Sequence, residues 1–275
     1  MKINIPDNIN LQIPGRYILT VYVHPEKFSF SFHCPDDLKS YFFYKVDSTG
    51  QTDAFSVFKD LFFDNDFFTY PFQRTCILVF SPLYTYVPDA IYSDGYKEDF
   101  IKFIFSEKEE KYLDHSIPLA KLRVLYPIPE NIYDFFIRSF NEPEFVHYSA
   151  PLVTHFYFPD IKHKNQQMFI NAHEKGIDIF CFSQKSFLLG NHFPCEKTQD
   201  ALYYILYTWK QLKMNRFSDL LYVTGERSQN EELIKKLRLY IEQVHMKPLP
   251  DGYPFGIIDT KNIPFELAIF SLCES

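Results

Sequence analysis

The sequence predicts an α/β protein built from duplicated β-β-β-α-β-α halves. Two observations carry this. A hairpin pattern occurs twice: Val21-Tyr22-Val23-His24-Pro25-Glu26-Lys27-Phe28-Ser29-Phe30 and Met168-Phe169-Ile170-Asn171-Ala172-His173-Glu174-Lys175-Gly176-Ile177-Asp178-Ile179. Each copy is a β-rich run, a short turn with His, Glu and Lys, and a second run with apolar residues at alternate positions, the period of a strand. The same order then follows each copy: a third β-rich run, an amphipathic helical pattern and a short apolar strand.

The elements follow in order. Residues 1–15 read as an arm closed by Pro14-Gly15. Strands are expected at 17–24, 27–33 and 38–46, with Pro25 and Pro35-Asp36-Asp37 as turns. Thr52 or Asp53 can cap a helix to about Phe63, whose stripe is Phe55, Phe58, Leu61 and Phe62. Cys76 to Phe80 is wholly apolar, the pattern of a strand covered on both faces. Ser81 to Pro88 reads as a proline-bounded aromatic loop, and Ser93 as the cap of a helix from Asp94 to Phe105. Strands at 112–117 and 121–126 precede a helix from Glu130 to Phe140, with Pro129 in its first turn. Phe145 to Phe158 starts as a strand and continues as a helix or an extended connection; Pro159 to Gln167 is polar and reads as a linker. The halves are thus expected to divide into residues 1–160 and 161–275.

In the second half, strands are expected at 167–173, 177–182 and 186–193. Thr198 is expected to cap a helix to Met214 with Leu202, Ile205, Leu206, Trp209 and Leu212 as its stripe. Asp219 to Glu226 reads as a strand ending in a glycine turn, and Asn230 to His245 as a helix. Pro264 to Leu272 is apolar and fits either a helix or a strand.

Bulk properties narrow the function classes. With 31 Phe and 20 Tyr in 275 residues, much of the core must be built from rings. A net charge of −7 with no clustered Lys or Arg argues against general nucleic-acid binding. Five widely spaced cysteines read as free thiols in a reducing compartment. The N-terminal Met1-Lys2-Ile3-Asn4-Ile5-Pro6 carries no apolar signal stretch, and no run is long enough to span a membrane, so a soluble cytoplasmic protein is expected.

The duplicated order, the repeated hairpin and the strand-glycine turn at 220–226 together resemble the actin-like ATPase (ASKHA) superfold, with its ribonuclease H-like architecture and central cleft. Within it, the chain looks like an uncharacterised, mainly Bacteroidetes family assigned that fold. The resemblance covers about residues 17–270. It implies that the two hairpin turns face each other and that each should present backbone N–H groups and an Asp to nucleotide phosphates and a hydrated Mg²⁺. The usual pattern there is Asp-x-Gly followed by a small hydroxyl residue. Both turns depart from it: the first is His24-Pro25-Glu26-Lys27, the second His173-Glu174-Lys175-Gly176. Glu26 or Glu174 could replace the metal-directed carboxylate, and Lys27 or Lys175 could meet a phosphate; the plainer reading is a polar turn. Val223-Thr224-Gly225-Glu226 is similar to the adenosine-binding turn, with Glu226 where a second glycine is usual. Its plainer reading is a tight turn that needs Gly225 for its backbone.

Other chemistry is poorly supported. The 8 glycines form neither a dinucleotide fingerprint nor a Walker A loop, and hydrolase signatures are absent. His192, Cys195 and Cys181 fit no standard zinc spacing, so no metal is expected. His24 and His173 hold equivalent places in the repeats. Leu83, Tyr84, Tyr86, Ile91 and Tyr92 read either as a contact surface or as a segment packed back onto the core. The expected function is a non-catalytic protein-binding or scaffold module with a degenerate nucleotide cleft, a protein partner or self-association, and no cofactor. The alternative is a diverged ATPase or small-molecule kinase that holds ATP and Mg²⁺ between the halves.

Overall fold

The computed structural model describes residues 2–46, 53–105, 110–157, 165–183, 186–225, 227–249 and 263–273. Its first sheet takes the order β3-β2-β1-β4-β8, from β1 (Ile18–His24), β2 (Lys27–Cys34), β3 (Asp37–Val46), β4 (Arg74–Val79) and β8 (Glu144–His147). The second takes the matching order β11-β10-β9-β12-β13, from β9 (Gln167–His173), β10 (Gly176–Ser183), β11 (Ser186–Pro194), β12 (Leu220–Gly225) and β13 (Val244–Met246). In each, the first three strands form an antiparallel meander and the fourth lies parallel to the first. The duplication is therefore one of topology as well as sequence. The first half also carries an insertion, a three-stranded antiparallel sheet of β5 (Thr85–Pro88), β6 (Glu110–Ile117) and β7 (Leu122–Pro129).

Each half closes on a ring-rich or aliphatic layer. Helix α1 (Ala54–Asp64) starts where Asp53 accepts the Ser56 N–H at 3.2 Å. It lays Phe55 and Phe58 on Phe28 of β2, at ring separations of 5.9 and 5.1 Å. Helix α5 (Thr198–Gln211) and α6 (Arg227–Leu237) cover the second sheet through Ile205, Trp209, Leu233 and Leu237. The strands of that sheet serve two layers by simple alternation. Ile177, Ile179 and Cys181 of β10 face α5 and α6; Phe180 and Phe182 join the larger core. Helices α4 (Ser149–Tyr157) and α7 (Phe265–Cys273) pack on each other. Phe156 of α4 stacks on Phe169 of β9 at 4.4 Å and so joins the halves.

Several expectations change. Thr85–Pro88 is an edge strand, not a loop; the edge position tolerates Pro88, which cannot donate to a ladder. The helix expected to run to His245 ends at Leu237, because Val244–Met246 pairs in parallel with β12. The helix expected from Asp94 is a short 3₁₀ turn followed by α2 (Lys97–Ile104). Pro129 is the cap of α3 (Glu130–Ser139), and Thr198 is the first residue of α5, not its cap. The undecided segment at 264–272 is the helix α7. Of the expected linker, residues 159–164 lie outside the described residues.

Candidate functional site

The two repeated turns meet across a cleft of about 1620 Å³. His24, Glu26 and Lys27 line it from the first half, and His173, Glu174 and Lys175 from the second. Lys175 Nζ makes an ion pair with Glu26 Oε1, so the turns are bridged. Lys175 donates to the Glu26 carboxylate, holding it below its usual pKa and raising the lysine's.

The first turn spends its donors on itself. Pro25 has no N–H, and the Glu26 N–H donates to His24 Nδ1 at 3.2 Å. For that contact the ring nitrogen must be unprotonated. Burial, then the Lys27 charge, lower the His24 pKa to about 3, and its ring lies 4.5 Å from Phe80.

Gly176 has a local structural role. A Cβ there would lie 2.6 Å from His192 Cε1, 2.7 Å from His192 Nε2 and 3.0 Å from the Phe193 carbonyl. The missing side chain makes room for the His192 ring. That ring belongs to a buried cluster behind the cleft. His173 Nε2 donates to Asp178 Oδ2 at 2.5 Å, His192 Nδ1 to Oδ1 at 2.9 Å, and Tyr148 OH to Oδ1 at 2.6 Å. A carboxylate only accepts, so each ring carries its proton on the nitrogen facing Asp178. Asp178 is fully buried. Burial alone would raise its pKa, but the charge and hydrogen bond of His173 and those of His192 hold it well below the usual carboxylate range. Burial likewise pulls His173 down, and the Asp178 charge and hydrogen bond outweigh it, giving a net upward shift.

A second polar chain crosses the cleft floor. Tyr22 OH donates to Glu266 Oε1, and Asn171 Nδ2 lies 3.5 Å from Glu266 Oε2. Thr224 Oγ1 shares its hydrogen between Asn171 Oδ1 at 2.9 Å and the Ile170 carbonyl at 3.1 Å. Asn230 Nδ2 donates to the Thr224 carbonyl at 3.1 Å. Thr224 is thus buried and tied to β9, and Gly225 ends β12. Glu226 lies outside the described residues.

A third chain sits beneath the insertion. His147 Nε2 faces only the Ser81 carbonyl at 3.0 Å, so it donates there; Nδ1 then accepts from Ser149 Oγ at 2.6 Å, and Ser149 accepts from Tyr86 OH at 2.6 Å. Burial lowers the His147 pKa to about 3. The aromatic segment is divided accordingly. Leu83 and Ile91 are exposed, Tyr84 is buried, Tyr86 reaches Ser149, and Tyr92 stacks on Phe100. Cys181 is buried on the opposite face of β10 from Asp178, so it does not approach His192.

Sequence reasoning passed over Asp178, His192 as its partner, Tyr148 and Glu266. One signal was available. Asp178 shares a strand face with Phe180 and Phe182, and a carboxylate in an aromatic row needs a partner. The cross-strand neighbours of Asp178 are Asn171 and His192.

Residues 6–244 match a family model described as a protein of unknown function, DUF3822. The chain belongs to that family. A crystal structure from Bacteroides thetaiotaomicron, of a protein with actin-like ATPase fold and unknown function, is similar at 26% identity. The match covers 96% of this chain and 99% of that one, with a TM-score of 0.81. The PilM-PilN type IV pilus biogenesis complex contains a chain matched at 9% identity and a TM-score of 0.55, covering 94% and 97% of the two chains. No curated protein matches the sequence. The fold of this DUF3822 protein is the actin-like ATPase fold, as the sequence resemblance implied. Among the described residues no helix is long and apolar enough to cross a membrane.

Proposed function

We propose that this chain is a non-catalytic binding or scaffold module of the bacterial cytoplasm whose nucleotide cleft is degenerate. The supporting observation is the first hairpin turn. Where the superfold offers backbone N–H groups to phosphates, Pro25 has none and the Glu26 N–H is taken by His24. The Glu26–Lys175 pair then joins the two turns that a nucleotide would have to separate. In this reading residues 1–160 and 161–275 act as two subdomains about the cleft, and the chain works through a surface toward a protein partner or a second copy of itself. The fold is compatible with such a role, since a chain of this fold occurs in the PilM-PilN complex. Ile91, exposed on the insertion, and Leu83, exposed before β5 at the cleft, are the first positions to test as that surface.

The test is thermal unfolding with millimolar ATP and Mg²⁺. A ligand that binds only the native state raises the midpoint, so the module reading expects no shift. A saturable rise that disappears in Gly225→Trp would overturn it and favour the ATPase or kinase reading. Sedimentation of the wild type beside Leu83→Glu/Ile91→Glu checks self-association through that surface.

A further inference from the structure

We propose that His173, Asp178 and His192 form a binding site for a divalent transition-metal ion of the zinc class, opening into the cleft. The three side chains come from the end of β9, from β10 and from β11, and one ligand atom from each lies within 4.8 Å of the others. Two imidazoles and one carboxylate suit zinc, cobalt or nickel better than Mg²⁺, which prefers an all-oxygen shell.

Charge balance points the same way. A fully buried carboxylate needs a compensating positive charge. The contacts of Asp178 come from His173, His192 and Tyr148, with no Lys or Arg among them. A proton on a ring supplies that charge in the metal-free chain, and a cation held between the rings would take its place. The carboxylate side needs little movement, while the two ring nitrogens, within 4.8 Å of each other, would close by up to about 1.5 Å. Ligands at about 2.0–2.2 Å from a tetrahedral ion stand roughly 3.3 Å apart. The present separations of 2.5 and 2.9 Å from the two ring nitrogens to Asp178 would open by less than about 1 Å. Each neutral ring would move its proton to the far nitrogen, and an imidazolium at His173 would release one proton to solvent.

The surroundings are already arranged for such a site. Tyr148 OH orients the carboxylate, the lack of a Cβ at Gly176 admits the His192 ring, and Phe80 lies edge-on to both rings at 5.2 and 5.8 Å. His173 and His192 line the cleft while Asp178 lies behind them, so a fourth position would face the cavity and take water or a partner's side chain. The site is independent of the binding-module reading and can fail without it.

The experiment is calorimetric titration of Zn²⁺ into the EDTA-stripped full chain, with Co²⁺ absorption as a second readout. One equivalent should bind at micromolar Kd or tighter. Losing a hydrogen bond that orients a metal-binding carboxylate costs about 10–100-fold in metal affinity, so Tyr148→Phe should fall in that range and His192→Gln should lose more than about 100-fold. Cys181→Ser/Cys195→Ser should bind as the wild type does. Co²⁺ should give ligand-field bands of a nitrogen–oxygen site. No binding by millimolar Zn²⁺, binding unchanged in His173→Gln/His192→Gln, or a thiolate-to-cobalt charge-transfer band in the wild type would each overturn the proposal. The cobalt spectrum needs no variant, so it decides even if the histidine substitutions fail to fold.

Discussion

Replacing Gly176 by Ala tests whether this glycine serves the His192 ring. The added Cβ would meet His192 Cε1 at 2.6 Å and the Phe193 carbonyl at 3.0 Å. Neither neighbour yields easily, since the ring is held by Asp178 at 2.9 Å and the carbonyl belongs to β11. Losing a hydrogen bond to an ionised group costs about 1.5–3 kcal/mol. Overpacking adds about 1–3 kcal/mol. Replacing glycine within a strand returns about 0.5–1 kcal/mol. The net expectation is a loss of about 1.5–5.5 kcal/mol. In a His192→Ala background the ring is gone, and the same change should cost under about 1 kcal/mol. The coupling in the double-mutant cycle should therefore exceed about 0.5 kcal/mol. Urea unfolding in EDTA, followed by the fluorescence of Trp209, the lone tryptophan and a member of the second-half core, measures all four chains. A coupling below about 0.5 kcal/mol would refute the reasoning and return Gly176 to a backbone role.

Three further outcomes are expected. His147 has a folded pKa of about 3 against an ordinary 6.5, so its contribution is fully present above pH 6.5 and is lost as pH falls toward 3. Between pH 6.5 and 5 that amounts to about 2 kcal/mol, and His147→Gln should flatten the pH dependence of urea unfolding by this amount. Phe156→Ala removes a fully buried ring that stacks on Phe169 at 4.4 Å; denaturant unfolding should show a loss of about 3–5 kcal/mol, and a loss under 1 would mean the two halves are not joined there. Asn65 accepts the Ile3 N–H at 2.8 Å and donates to the Leu61 carbonyl at 2.7 Å, so Asn65→Leu should cost about 1–3 kcal/mol and speed proteolysis of the N-terminal arm.

Most of the fold was legible because its signals are local and repeated. The meanders carry period-two alternation, Thr52 or Asp53 offers a cap by chemistry, and the wholly apolar run at 76–80 has the pattern of a covered strand. The strand β13 was not legible. Val244-His245-Met246 follows a helical pattern without a break, and only the parallel edge of β12 makes it extended. The cleft was legible in outline, since the repeated turns do face each other. Its chemistry was not. Asp178 shares its face with Phe180 and Phe182, which signals that it needs a partner but not which one; Tyr148 and Phe80 reach that face from the other half. Thr224 and Gly176 were offered both as nucleotide-cleft candidates and as parts of plain turns; the contacts that could not be read from the sequence are those of Thr224 to β9 and of Gly176 to His192.

The position of α7 bears on how the chain can be made. Tyr22 finds its partner Glu266 a full 244 positions downstream, and Phe265, Leu267, Ala268, Ile269 and Phe270 all enter the core begun by β1 and β2. At ribosomal speeds of about 5–20 residues per second, that core waits roughly 10–50 s for its last layer. During that interval the nascent first half lacks its layer on the Tyr22 side of the sheet, where Thr20, Ser29 and Ser31 also point, while its phenylalanine-rich side is already covered by α1. Its completion is set by the synthesis of α7 and not by the folding of its own sheet.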